Sequence, residues 1–312
     1  MTVQTTSGLS QEMSTFYDKV FLERAEYEYI FNQGAQMRSL PANEGKTVVY
    51  TRHTPLATAT TALTEGVNPA EVNLSATNVS ATLAEYGTTV KISRFLSLTS
   101  IDANNKEKIE VVGQNMGETL DQITRNELFT GATAQFAGGK AALTDVGVTD
   151  VLSVEELRKA TRTLKLNKAR RFQDRIAPWM GKLGPNTSYD LTKDATFLSA
   201  DIYDNGAERL YNGELGKILG VRLIESPNQY EAVDAGASDA DIFSNFVHGS
   251  DAFGCIDLVG DKPQLYIIPS TKIDSGNPAG RFSTVAWAAS YVCKTLNSGW
   301  LIDIKSGATG QA

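Results

Sequence analysis

The reading of this chain turns on residues 189–228, YDLTKDATFLSADIYDNGAERLYNGELGKILGVRLIESPN. Phe197, Leu198 and Ile202 fall at helical spacing, and residues 207–211 carry a second short helical pattern. Gly213, Gly216 and Gly220 then break the chain, and Val221-Arg-Leu-Ile-Glu alternates as a strand closed by Ser226-Pro227. Together these predict a compact helix–turn–strand unit. Nothing in it sets a base beside a nucleophile or gathers metal ligands.

Upstream, a strand is expected at Ile176-Ala-Pro-Trp-Met, behind a mixed-charge connector at 169–175. Before it, Ser153-Val-Glu-Glu opens a capped helix through about Leu166 that buries Leu157, Ala160 and Leu164. Residues 131–147, rich in Gly and Ala, read as a loop. A longer helix precedes them: Ile109, Val112, Met116, Leu120 and Ile123 form one apolar stripe, ending with Phe129 before Gly131. Its other face carries Lys106, Glu107, Glu110, Glu118, Asp121 and Arg125. If helical over 101–130 it is about 45 Å long at about 1.5 Å per residue, the length of a strut lying across a sheet.

Further upstream the period drops to two. Residues 46–52 (KTVVYTR) and 75–93 read as the arms of a hairpin, joined through a Thr/Ala-rich stretch at 54–64 and a turn at Glu65-Gly66-Val67-Asn68-Pro69. In the second arm Val79, Ala81 and Leu83 alternate in one phase, and Thr88, Val90 and Ile92 in the other. The slip predicts a bulge near Tyr86-Gly87. From Val79 to Ile92 such an arm spans roughly 46 Å at about 3.3 Å per residue, whereas a domain of this size has a radius of gyration of about 20 Å. A hairpin that long overhangs its body and needs another surface to lie on, because two strands alone are marginal in water. At the start of the chain Met13, Phe16, Tyr17, Val20 and Phe21 follow the plausible cap Ser10 as an amphipathic helix. Two readings stand for it: a core helix, or an arm packed on a neighbouring subunit.

Downstream, residues 230–241 form a polar, acidic loop, and 243–247, 255–258, 265–268, 284–294 and 300–304 read as successive strands. With 312 residues, 41% hydrophobic and 21% charged, the composition is that of one large globular domain or two linked ones. The formal net charge of −7 argues against a dominant role in gripping nucleic-acid phosphates. Two cysteines cannot build a disulfide framework, which points to a reducing cytoplasm. The polar start MTVQTTSGLSQEM is unlike a signal peptide, and no run of 18 apolar residues occurs. The expectation is a protein made and kept in the cytoplasm unless it leaves inside something larger.

Candidate chemistry is sparse. His53 and His248 are the two histidines, one at the hairpin end and one before a Gly-Ser turn, and neither is expected to be catalytic. Cys255 and Cys293 sit within apolar strands and read as buried small hydrophobes. Gly138-Gly139-Lys140 fails as a phosphate loop, because Ala134 and Ala141 occupy the positions that need Gly and Ser/Thr. The acidic loop 231–241 lacks the spacing of a calcium loop. No catalytic, cofactor-binding or metal residue is therefore assigned, and no cofactor is expected.

The opening stretch strongly resembles a block of tailed-phage major capsid proteins, in the coat-protein family named after phage N-four. The matching words are Tyr189-Asp-Leu, Lys193-Asp-x-x-Phe197, Leu210-x-Asn-Gly-Glu-x-Gly216 and Gly220-Val-Arg-x-x-Glu-Ser226. Gly249-Ser-Asp-Ala-Phe-Gly, Gly260-Asp-Lys-Pro, and the closing pair with Trp287, Lys294-x-Leu-Asn and Trp300 continue the resemblance in the same order. It implies an α+β chain of the fold first described for phage Hong Kong 97. By this resemblance 1–45 is an N-terminal arm, 46–97 an extended loop, 98–142 a peripheral domain with a long spine helix, 143–253 an axial domain, and 254–312 the returning peripheral strands. It implies a major capsid protein whose hexamers and pentamers tile an icosahedral head around double-stranded DNA, assembled in the bacterial cytoplasm and ending in the virion. The DNA would be enclosed without sequence-specific binding and without a membrane, and neighbours would be held through arm and extended loop. A scaffold, a protease and a portal follow as partners by resemblance alone, with a cementing protein left open. Two other readings remain at this point: another phage structural, tail or surface-array protein, and a cytoplasmic enzyme with its site at 176–225.

Overall fold

The computed structural model describes residues 30–63, 65–69, 71–99, 105–173, 177–194, 216–260, 264–273 and 276–309, with Phe21, Arg24 and Phe197. The helical patterns expected at 10–29 and 198–211 otherwise lie outside the described residues.

The first of two main sheets is built on the longest strand, β13 (Phe282–Thr295). Along one edge it pairs with β4 (Ala84–Ser93). Along the other it pairs with β11 (Phe253–Leu258) and β12 (Gln264–Ile268), and β1 (Gln36–Leu40) adds a parallel strand outside β11. Alternate side chains of β13, namely Val285, Trp287, Ala289, Tyr291 and Cys293, are buried. Their cover is the long helix α2 (Asn105–Gly131), which follows the short α1 (Arg94–Thr99). The stripe Ile109, Val112, Met116, Leu120 and Leu128 enters the same core. Polar pegs fix its register: the Trp287 indole N–H donates to Asn115 Oδ1 at 3.0 Å, and the Thr124 and Tyr291 hydroxyls meet at 2.7 Å. At 27 residues α2 is about 40 Å long at about 1.5 Å per residue.

The second sheet runs β5 (Thr133–Phe136), β14 (Leu301–Ser306), β10 (Ile242–His248), β6 (Trp179–Leu183), β8 (Val221–Glu225), β7 (Lys217–Ile218), with β9 (Glu231–Ala232) beside the start of β10. Helix α3 (Val154–Leu166) buries Leu157, Ala160 and Leu164 against Trp179, Val221, Val247 and Ile302. A third, two-stranded unit pairs β2 (Thr47–His53) with β3 (Ala76–Thr82), from Thr47↔Thr82 to His53↔Ala76.

Several expectations are corrected. The extended run 75–93 breaks at Leu83, not at Tyr86-Gly87: β3 stays in the hairpin while β4 joins the first sheet. Gly87 holds regular register opposite Ala288, where a Cβ would come within 2.6 Å of the Trp287 carbonyl. The slip thus marks a change of partner, and the overhanging unit is shorter than the 46 Å arm.

The helix at Ser153 forms, but its first amide is capped by Asp194, which accepts from Val154 N–H at 3.0 Å. Ser153 makes no side-chain cap, and Glu156 turns to Gln135 and Lys159. The strand after the connector is β6, and Ala177 and Pro178 lie outside it; Pro178 has no N–H to give a ladder. Residues 133–136, read as loop, form β5, and α4 (Pro185–Lys193) lay unrecognised ahead of the helical pattern at Phe197. The strand read at 221–225 is β8, turned out of β7 through Leu219 and Gly220, both at positive φ.

Candidate assembly surfaces

The hairpin is rooted by one aromatic side chain. Tyr50 points from β2 into a small core with Leu40, Ala81 and Ile256, and the Arg38 guanidinium lies 4.6 Å from its ring centroid. Gly254 makes room, since a Cβ there would stand 2.8 Å from the Tyr50 hydroxyl. Burial pushes the Tyr50 pKa up to about 12, against the lowering effect of Arg38. Beyond this root the connection 54–75 carries no strand among its described residues. It holds Leu56, Leu63, Val67, Val72 and Leu74, each more than half exposed. Phe95 and Leu96 on α1 and Val111 on α2 are also exposed. Apolar side chains gathered on a projection are surface that a monomer has no means of burying.

The backbone at Ile30 and Phe31 is clamped. Asp121 on α2 accepts from the backbone N–H of Ile30 at 2.9 Å and of Phe31 at 2.5 Å, and from the Asn228 amide at 3.2 Å. Lys182 on β6 donates from Nζ to the Phe31 carbonyl at 2.5 Å and lies 4.6 Å from the Phe253 ring centroid. Both charged side chains are fully buried. Burial lowers the Lys182 pKa from 10.5 to about 7. Burial also raises that of Asp121, while its hydrogen bonds and Lys182 pull it back. The Phe31 N–H and carbonyl are thus gripped by a helix that covers the first sheet and a strand of the second. Phe21 is also buried, and its carbonyl lies close against Gly113 of α2.

The sequence candidates for chemistry are scattered. His53 is exposed at the end of β2. His248 is buried, with Nδ1 3.0 Å from the Gly249 carbonyl and its ring edge-on to Phe172 and Phe253. Burial first, and Lys182 second, lower its pKa to about 3, so it is a neutral core residue. Cys255 and Cys293 are cross-strand partners with sulfurs 3.3 Å apart, both buried and free. Lys140 sits 3.7 Å from Asp150, whose carboxylate also accepts from Gly147 N–H at 2.9 Å. The acidic loop is tied by Asp234 N–H to Asp241 Oδ1 at 2.9 Å, and among the described residues no cluster fit to hold a metal occurs. In 176–225, Lys182 is sealed as above, and Asp190 accepts both the N–H and the hydroxyl of Thr309.

Reading by periodicity missed the clamp. The stripe pattern puts Asp121 on the wet face of its helix, yet it is fully buried, with the backbone of Ile30 and Phe31 lying against it. Lys182 had one faint signal, a cation inside an apolar strand (Trp179-Met-Gly-Lys-Leu).

By sequence, no family model matches and no curated protein matches. Structure is more informative. The chain superposes on the capsid protein of Ralstonia phage GP4 with a TM-score of 0.71 at 15% identity, covering 92% of this chain and 91% of the other. For the capsid of cyanophage P-SCSP1u the TM-score is 0.67 at 12% identity, covering 90% and 89%. For that of cyanophage Pam1 it is 0.65 at 18% identity, covering 94% of each. The class these likenesses define is the Hong Kong 97-type capsid fold, over nearly the whole chain. The fold is not confined to phages: a virus-like particle from Pyrococcus furiosus superposes with a TM-score of 0.55 at 8% identity, covering 94% and 99%.

Proposed function

We propose that this chain is a major capsid protein, whose hexamers and pentamers build the icosahedral head that encloses phage double-stranded DNA. The carrying observation is the pairing of a Hong Kong 97-type body with a rooted hairpin whose connection exposes five large aliphatic side chains. Covering them requires another molecule, and many modest contacts repeated around a closed shell add to a stable one. The role is structural rather than catalytic.

Within this reading the hairpin and its connection are the extended loop, and α2 is the spine helix of the peripheral domain with the β13 sheet. The second sheet with α3 and α4 is the axial domain. β5 and β14 pair in that sheet, so the axial unit draws on strands from outside 143–253. The N-four-type motifs of 189–228 support placement in that branch, and 1–45 is the N-terminal arm, joined to the first sheet through β1. Neighbouring subunits are the first partners; scaffold, portal and cementing proteins are secondary ones.

Sedimentation of the purified chain tests the proposal. Shells, or discrete hexamers and pentamers, are expected; a species that stays monomeric as concentration rises would overturn it.

A further inference from the structure

On the outer face of α3, Arg158, Arg162 and Lys165 follow at i, i+4 and i+7 and are all exposed. They line a groove of about 340 Å³ that also takes in Leu166, 73% exposed, and Leu219 in the β7–β8 turn, 39% exposed. No carboxylate lines it. Arg158 meets Glu155 at 3.4 Å at the solvent side, an exposed pair of little strength. A groove that combines like charges with exposed leucines is poorly suited to water and to its own chain.

The chain carries the converse surface. Glu231 in β9, and Asp234 and Asp239 in the loop that follows, are exposed, as is Val233 between them in sequence at 66%. The loop is held in shape by Gly236 N–H to the Ala240 carbonyl, Ala237 N–H to the Val146 carbonyl, and the Asp234–Asp241 bond. A preformed loop loses little entropy on docking. The two surfaces lie at opposite ends of the second sheet. The Leu219 turn is at the Trp179 end of β6, whereas β9 pairs at Ile242, where β10 starts beyond the Leu183 end. Along β10 that separation is about 20–25 Å at about 3.3 Å per residue.

We propose that the acidic loop of one subunit seats in the α3 groove of the next, Val233 against Leu166 and Leu219, its carboxylates facing Arg158, Arg162 and Lys165. The inference rests on the shell reading. Complementary patches at opposite ends of one element join copies head to tail, the heterologous geometry that closes into rings. Nucleic-acid phosphates would match the cations but leave the leucines unused, so the protein partner is favoured.

The test is a charge exchange in the full chain. Arg162→Glu with Lys165→Glu should weaken association of the subunits about tenfold or more, as should Asp234→Lys with Asp239→Lys. All four changes together should restore it to within roughly threefold of the parent, which addition of independent defects does not do. Unchanged circular dichroism and melting of the variants separate lost contact from lost fold. Association of both reversed variants at the parental level overturns the inference and leaves the shell reading intact. So does failure of the fourfold variant to recover. Normal association of the Arg162/Lys165 variant with loss of binding to a double-stranded DNA fragment would overturn it too, assigning the groove to phosphate. A parent that does not associate at all overturns both readings.

Discussion

Replacing Lys182 with Met should abolish a pH dependence of stability that the wild-type subunit owes to one amine. Its folded pKa is about 7 against an ordinary 10.5, mainly because burial penalises the charge. Between those values the unfolded chain binds the proton that the folded chain has released. Stability therefore rises with pH across this window, by up to about 1.4 kcal/mol per pH unit. Cys255, Cys293 and Asp121 act in the opposite direction, and the lowered value already sets them against the burial cost. Methionine keeps an unbranched stem of similar length and cannot titrate. The assay is urea unfolding of the unassembled subunit at pH 7, 8 and 9, wild type beside Lys182→Met, since groups common to both cancel in the difference. The expected difference in slope approaches 1 kcal/mol per pH unit in order of magnitude. Parallel curves for the two proteins, or a wild type whose stability falls from pH 7 to 9 relative to the variant, would refute the reasoning.

Other consequences follow from the same contacts. Asp121→Ala orphans the N–H groups of Ile30 and Phe31 and should cost about 3 kcal/mol, at about 1–3 kcal/mol for each buried donor; Asp121→Asn, which keeps an acceptor oxygen, should cost less in the same denaturation series. Tyr50→Ala removes the aromatic root of the hairpin, so hydrogen exchange should quicken in β2 and β3 while β13 amides keep their protection. Deleting residues 54–73 removes most of the exposed aliphatic connection; the melting temperature should hold within a few degrees while shells fail to form, and normal shells would contradict the role given to that segment.

What could be read in advance was whatever one element specifies alone. The stripe from Ile109 to Leu120 defined α2, and alternation defined β13 and β8. What escaped depends on a partner distant in sequence. Strand alternation at 84–93 says nothing of which strand lies alongside, so β4 was assigned to the hairpin although it pairs with β13. Ser153 has the right identity for a cap, but the capping oxygen is that of Asp194. The helix at Pro185–Lys193 opens after Gly184 with proline in its first turn, a start signal overlooked because its apolar face is short. Asp121 and Lys182 are linked across the backbone of Phe31, to which each hydrogen-bonds. On the assembly surface, the exposed leucines and valines of 54–75 were present in the sequence, but their exposure is a property of the projection.

The most direct test of the central claim is cryo-electron microscopy of the purified, concentrated protein. The account predicts closed icosahedral shells in which the 54–75 connection of each subunit lies over a neighbouring copy. Particles that stay monomeric, or shells whose connections fold back on their own subunit, would contradict it.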